Sequence, residues 1–404
     1  MKKIHLRSII LILIFLLSLN LFASIKKIDV EFKYYAPDAK TVTIPMDITG
    51  WKKHSNPMIK GKDGWFRKTL SLIPGEYQYK FCVDNSKWVL DTANPKIKNG
   101  KYIDNLLKVG TEEQIKEAKK ALESVYNNIL KEADGLKKLK DLQKINVKNK
   151  NNAKLRFAVL GDNRSNTKIY NIVITELMKY KPEFIINTGD LVSSPNNYDE
   201  LLEFVKISKK TGIPYLPAPG NHDIKNKQTQ KMFSQLFGIP SLDYYTFTYG
   251  NCQFFMLDTE IPGNHSKIDG KQLEWLKKEL AKSNAKYRFA AFHRPMYSVK
   301  GIGHHHKDSL GAYPDKRDNI EKLFVQYKVN CVYCGHEHFY NRQKHDSITQ
   351  IITGGAGAPL YTTPDKGGFY HFLIVNVDKN GVHTKVYKYN INTKKFEIYE
   401  SFDL

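Results

Sequence analysis

The chain has 404 residues, 26% charged and 41% hydrophobic, with a formal net charge of +22. The length predicts two or more domains and the hydrophobic share excludes a disordered chain. Four cysteines are too few for a disulfide framework. The positive field suits phosphorylated or otherwise acidic partners; without a zinc-finger spacing, a basic helix with heptads or an Arg-rich block, no nucleic acid is expected.

In chain order, residues 1–23 read as a signal peptide. Lys2, Lys3 and Arg7 precede an apolar run from Ile9 to Leu19, and Ala23 suits cleavage. No Cys follows, which argues against a lipoprotein anchor; an uncleaved membrane anchor is the alternative. No second apolar span of about 20 residues exists. The expectation is an exported protein (periplasmic, cell-surface or secreted) with no stable membrane span after cleavage.

Residues 25–110 hold short aromatic-rich runs, "VEFKYYAP", "TVTI", "GWFRKTLSL", "GEYQYKFCVD" and "KWVLD", separated by turn formers. That pattern predicts a small β-sandwich. Residues 111–152 change character. "TEEQIKEAKKALESVYNNILKEADGLKKLKDLQKI" places apolar residues at helical spacing, and "NVKNKNN" reads as a polar hinge. We read a helical connector with a solvated Lys/Glu face.

From 153 to 404, apolar runs alternate with amphipathic helices such as "IYNIVITELMKY" and "GKQLEWLKKELAKS", which predicts a layered α/β domain. The runs "LRFAVLGD", "EFIINTGD", "IPYLPAPGNHD", "KYRFAAFHRP" and "VNCVYCGHEH" each end in residues able to bind a ligand. Functional groups in open α/β sheets gather at strand carboxyl ends. Asp162, Asp190, Asn221, His222, His293, His336 and His338 occupy those ends. Carboxylates, an amide oxygen and imidazoles form a donor set for Mn, Fe or Zn rather than Ca. Cys331 and Cys334 have CxxC spacing but sit in a strand, where residues three apart face opposite sides. Core packing is the simpler reading, a redox pair the other.

The blocks "GDNR", "NTGDLV", "PGNHD", "AAFHRPMY" and "CGHEHFYNR" resemble, in this order, those of calcineurin-like metallophosphoesterases; the last two, with "GGAGAPLY", are nearest the purple acid phosphatase branch. The resemblance implies a four-layer α/β/β/α sandwich and two divalent metal ions about 3.5 Å apart. It implies that Asp190 bridges them, that Asp162 and His338 hold one, and that Asn221, His293 and His336 hold the other. His222 would act as general acid. Asp223 would hydrogen-bond His222, or cap a helix. Two positions depart from the pattern. Arg164 stands where many members have a ligating His, and Ser193 where the purple branch has a Tyr. Arg164 would grip a phosphate oxygen, or its charge would leave one bound ion instead of two. One of His304, His305 and His306 would contact phosphate, and Tyr340 and Arg342 would support the site.

The blocks "DITGW", "GEYQYKFCVDNSKWVLDTANP" and "YIDNLLKVG" resemble the glycogen-binding domain of the AMP-activated protein kinase β subunit and isoamylase N-terminal modules, which are small immunoglobulin-like β-sandwiches. The resemblance implies Trp51 and Trp88 as sugar-stacking platforms, with Lys80 and Asn105 (or Asp104, if the register slips) on sugar hydroxyls. The combined expectation is an exported metal-dependent phosphoesterase, phosphomonoesterase before phosphodiesterase. It would act on a phosphorylated small molecule or glucan, with an α-glucan held by the N-terminal module. The alternative is a glucan-binding surface protein with a degenerate, inactive phosphoesterase domain.

Overall fold

A computed structural model describes residues 25–49, 51, 53–99, 103–148, 154–239, 244–302 and 307–404. The proposed signal peptide, residues 1–23, lies outside them. Among the described residues, no helix is long and apolar enough to cross a membrane. The chain divides into two compact units, residues 1–128 and 129–404.

The first unit is built from antiparallel pairs. Ile28–Tyr35 pairs with Trp65–Leu72, Val42–Thr43 with Phe81–Val83, and Gly75–Tyr79 with Asp104–Val109. Alternate residues turn inward, and Phe32, Ile44, Met46, Phe66, Tyr79 and Phe81 form one core. Each such burial contributes roughly 1.5–3 kcal/mol. Tyr79 joins the core to the rim: its ring meets Phe32 edge-on at 5.1 Å and its hydroxyl donates to Asp91 at 2.7 Å. The helix Glu112–Ala133 starts at a capping box, in which Thr111 Oγ1 accepts from the Gln114 amide at 3.2 Å and Gln114 Oε1 from the Thr111 amide at 2.9 Å.

The second unit is a sandwich of two six-stranded sheets. One runs Tyr215–Pro217, Phe184–Asn187, Leu155–Leu160, His371–Val377, Val382–Asn390 and Lys395–Asp403; its first three strands are parallel. The other runs Tyr245–Tyr249, Cys252–Met256, Tyr287–Phe292, Cys331–Cys334, Ile348–Thr353 and Tyr340–His345, with a parallel centre. Phe184–Asn187 and Cys331–Cys334 are buried throughout, which explains the apolar runs Phe184–Ile186 and Cys331–Cys334. The sheets meet through rings. Phe157 stacks on Phe184 at 5.4 Å and meets Phe254 and Phe289 of the other sheet at 5.1 and 5.5 Å.

Helices cover the outer faces. Thr167–Leu177 turns Tyr170, Val173, Ile174 and Leu177 inward at helical spacing, and Tyr170 stacks on Phe204 of the helix Tyr198–Lys209. Against the second sheet, Leu276 and Leu280 of Gly270–Ala281 and Ile320, Leu323 and Phe324 of Pro314–Gln326 pack with Phe255, Phe292, Val332 and Cys334. The architecture is the four-layer α/β/β/α sandwich.

The segment 111–152 is helical, over Glu112–Ala133 and Leu139–Lys148, but the division between units falls inside its first helix, and its apolar residues Ala133, Leu136 and Leu142 are buried. The Lys137 carbonyl accepts from the Tyr215 amide at 3.0 Å and so covers a sheet edge. Cys331 and Cys334 are free, buried thiols raised above their usual pKa by burial, which fits core packing rather than redox exchange.

Candidate metal centre

Five strands deliver their carboxyl ends to one place. Asp162 follows Leu155–Leu160, Asp190 follows Phe184–Asn187, Asn221 follows Tyr215–Pro217, His293 follows Tyr287–Phe292, and His336 and His338 follow Cys331–Cys334. The turns are tight. Asp162, Asp190 and His336 all adopt positive φ, at 54°, 58° and 70°. Such backbone costs energy and persists only where surrounding structure fixes it.

Asp162, Asp190 and His338 bring ligand atoms within 4.8 Å of one another, all buried. Beside them, His293 Nε2 lies 3.4 Å from Asp190 Oδ1, 2.9 Å from Asn221 Oδ1 and 3.1 Å from His336 Nδ1. The six predicted ligands therefore converge, with Asp190 shared between two groups. Their tautomers are set from behind. His293 Nδ1 donates to the Thr188 carbonyl at 2.9 Å, and His338 Nδ1 to the Pro359 carbonyl at 2.6 Å. Each ring thus turns its Nε2 lone pair into the centre. His336 is reversed: its Nε2 points outward, 3.2 Å from Asp308 Oδ1 and 3.3 Å from Arg294 Nη1, which leaves Nδ1 inward. Lone pairs of Asp190, Asn221, His293 and His336 thus face one another, a donor set that calls for a cation.

Electrostatics divide the two carboxylates. Burial pushes Asp162 up to about 7, against the pull of His293. Burial works the same way on Asp190, but His293, His222 and Arg164 outweigh it and hold its carboxylate well below the usual range. Asp190 is the fixed anion of the centre.

Residues 155–340 match the family model for calcineurin-like phosphoesterases, and residues 28–115 match the glycogen recognition site of AMP-activated protein kinase. The chain carries a calcineurin-like metallophosphoesterase domain. It is similar to purple acid phosphatase 23 of Arabidopsis thaliana, 29% identical over 169 residues that cover 39% of this chain and 34% of the relative. It is also similar to the serine/threonine-protein phosphatase CPPED1 of Homo sapiens, 22% identical over 196 residues, 46% of this chain and 62% of the relative. The chain spans about a third of the length of the plant purple acid phosphatases it matches. Among solved structures, purple acid phosphatase PPD1 from yellow lupin seeds aligns with a TM-score of 0.52 at 14% identity, covering 93% of this chain and 72% of that one; this likeness is one of fold.

Within the phosphoesterase domain, Arg164 is buried at the ligands themselves. Its Nε donates to Asp190 Oδ2 at 3.0 Å and its Nη2 to His338 Nε2 at 3.3 Å. His222 Nδ1 donates to the Ser193 carbonyl at 2.7 Å, and its Nε2 lies 4.0 Å from Asp190 Oδ2. Burial lowers His222 to about 3, so in the free protein it is a neutral ring and not a ready proton donor.

The expected role of Asp223 is not met. Its Oδ2 accepts from the Gly220 and Asp190 amides at 2.8 and 2.9 Å, and its Oδ1 from the Leu191 amide at 2.9 Å. It is no helix cap either: Asn226 caps the helix Lys227–Phe237. Asp223 ties two ligand-bearing turns together through their backbones. His304, His305 and His306 lie outside the described residues. Tyr340 and Arg342 both donate to Glu400, joining the site's last loop to the strand Lys395–Asp403.

Two supports escaped sequence reasoning. Arg294 holds Glu260 bidentately at 2.6 and 2.9 Å and Asp308 Oδ2 at 3.1 Å, behind His336. Tyr361 stacks on His338 with ring centroids 4.0 Å apart. Their positions in "HRPMY" and "GGAGAPLY" were the available signals.

In the first unit, Trp51 and Trp88 come together with ring centroids 6.4 Å apart, and Trp88 is 38% exposed. Lys80 Nζ pairs with Asp104 Oδ1 at 3.0 Å. Asn105 is a correction. It is 1% exposed, and its amide donates to the Asp91 and Asn94 carbonyls at 2.9 and 2.8 Å while its oxygen accepts from the Asp91 amide. Those bonds close the 91–94 loop and are spent on the fold, not offered to a sugar.

Proposed function

We propose that the chain is a metal-dependent phosphoric monoester hydrolase acting on phosphorylated carbohydrate, with an α-glucan held by the N-terminal module. One observation carries the hydrolase reading: lone pairs of Asp190, Asn221, His293 and His336 converge on one buried point. A divalent cation bound there supplies Lewis-acid polarisation of the phosphoryl group and acidifies nearby water. Asn221 offers its oxygen without adding a charge that would repel an anion. Arg164 adds fixed positive charge at the same face. His222, held by Ser193, is the proton-transfer group; an incoming phosphate dianion beside it raises its proton affinity. The glucan reading is supported by the module match and by the Trp51–Trp88 pair.

Hydrolysis of an aryl monophosphate and a bis-aryl phosphate, with Mn, Fe or Zn added, tests the proposal. We expect the monoester to turn over faster, and Asp190→Ala and Asn221→Ala to reduce kcat/KM by at least about a hundredfold. Absence of turnover with every metal would favour the second reading, a glucan-binding protein with an inactive centre. The bonds from Arg164 to Asp190 and His338 are the observation on that side.

We further propose that residues 1–23 direct export and are removed. The basic start and apolar run support this, and the mass of the mature N-terminus in extracellular or periplasmic fractions tests it.

A further inference from the structure

We propose that Arg164 fills the side of the centre where a first ion would bind, so that the phosphoesterase domain holds one divalent cation, between Asp190, Asn221, His293 and His336. The inference rests on the metal-dependent reading above and specifies its stoichiometry.

The Asp162, Asp190 and His338 atoms are close enough for a metal. Two of the three residues are already engaged. His338 Nδ1 spends its proton on the Pro359 carbonyl, so Nε2 carries the lone pair. That lone pair accepts from Arg164 Nη2 at 3.3 Å, and it cannot also bind an ion. Asp190 Oδ2 accepts from Arg164 Nε at 3.0 Å. The guanidinium is held on its other side too, with Nη1 donating to Ser165 Oγ at 3.3 Å. It is 5% exposed, and its backbone amide bonds the Asp190 carbonyl at 3.3 Å.

The third residue has other work. Both Asp162 oxygens accept from the His336 amide, at 3.1 and 3.0 Å, and so hold the turn that aims His336 at the remaining ion. Ser193 adds no donor there, because its hydroxyl donates to Glu200 Oε2. A dication placed beside His338 would meet a fixed guanidinium of like charge in a buried site, where repulsion is poorly screened. The other group differs. His293 Nε2 faces Asn221 Oδ1, Asp190 Oδ1 and His336 Nδ1. The guanidinium beside it, Arg294, stands 3.3 Å from the outer Nε2 of His336 and is paired with Glu260 and Asp308, so its charge is offset and it takes no inward lone pair. Arg164 is then a built-in cation that takes the electrostatic place of one metal. It neutralises Asp190 and leaves a single exchangeable ion.

The test is metal content of the full chain, equilibrated with Mn and freed of loose ion, together with the Mn electron paramagnetic resonance spectrum. We expect one equivalent per chain and the spectrum of an isolated ion. Arg164→His, which supplies a donor in place of the cation, should bind a second equivalent and give a spin-coupled pair. Arg164→Ala separates charge from donor: it should raise occupancy of the second position more weakly. Two equivalents in the wild type would overturn the inference and leave the hydrolase reading standing. No bound metal would overturn both. A folded Arg164→His variant that stays at one equivalent would show that Arg164 is not what excludes the first ion.

Discussion

Asp223 shows what a single residue conceals. In "PGNHD" it stands beside an imidazole and ahead of a helix, and both neighbours suggest a role for it. The structure gives it neither, because its donors come from backbone about 30 residues earlier, at Asp190 and Leu191, and from Gly220. Local sequence cannot reveal that pairing. The metal-binding candidates were legible for the opposite reason: they sit at the ends of five apolar runs, and side-chain chemistry is written in the residue itself. Asn105 failed as Asp223 did, a polar side chain consumed by a loop that sequence does not close. The consequence for Asp223 is measurable. Asp223→Ala strands several buried amides and should cost about 3 kcal/mol in denaturant unfolding. It should also weaken metal binding, since the Asp190 turn loses its anchor. A loss below about 1 kcal/mol would mean that water replaces the carboxylate easily.

At the scale of elements, the turns rather than the strands do the positioning. Four of the five ligand blocks begin with glycine, "GD", "GD", "GN" and "GH"; His293 instead follows Phe292. Gly220 shows why. A Cβ there would fall inside contact distance of the Asp190 amide nitrogen and Oδ1, and a Cβ on Gly335 would strike Asp162 Oδ2. The strand ends are packed so closely that a methyl group displaces a ligand. Gly220→Ala should therefore destabilise the fold by roughly 2–3 kcal/mol and lower metal occupancy, because the strain falls on the fixed anion. Thermal unfolding with parallel metal analysis checks both. Unchanged occupancy would mean that the turn has slack. The site-bearing strands could be read from sequence as mainly apolar runs that end in ligand-competent residues. The strands His371–Val377, Val382–Asn390 and Lys395–Asp403 were not resolved individually, because they end at no ligand. In the segment 111–152 the helical spacing was legible, and Leu136 and Leu142 of its apolar stripe are buried, but periodicity alone does not show that the division between units falls inside its first helix.

For the whole molecule, two units built on different principles share one chain. One surrounds a small aromatic core and presents an indole pair; the other suspends a charged centre at the rim of a sandwich. Their connection matters thermodynamically whatever their arrangement. On the proposed function, a phosphorylated glucan gripped by its sugars would meet the phosphoesterase domain at an effective concentration set by the chain, not by the solution. An aryl phosphate has no sugars to grip and gains nothing. Removing both indoles (Trp51→Ala with Trp88→Ala) should then raise KM for a phosphorylated glucan by about tenfold, leave kcat within about twofold, and leave aryl phosphate hydrolysis unaltered. The +22 net charge adds a separable contribution, because long-range attraction weakens with salt whereas stacking on an indole does not. The indole effect should therefore persist at high ionic strength. Equal KM values for the variant and the parent on the phosphorylated glucan, with glycogen binding abolished, would show that the two units serve different ligands.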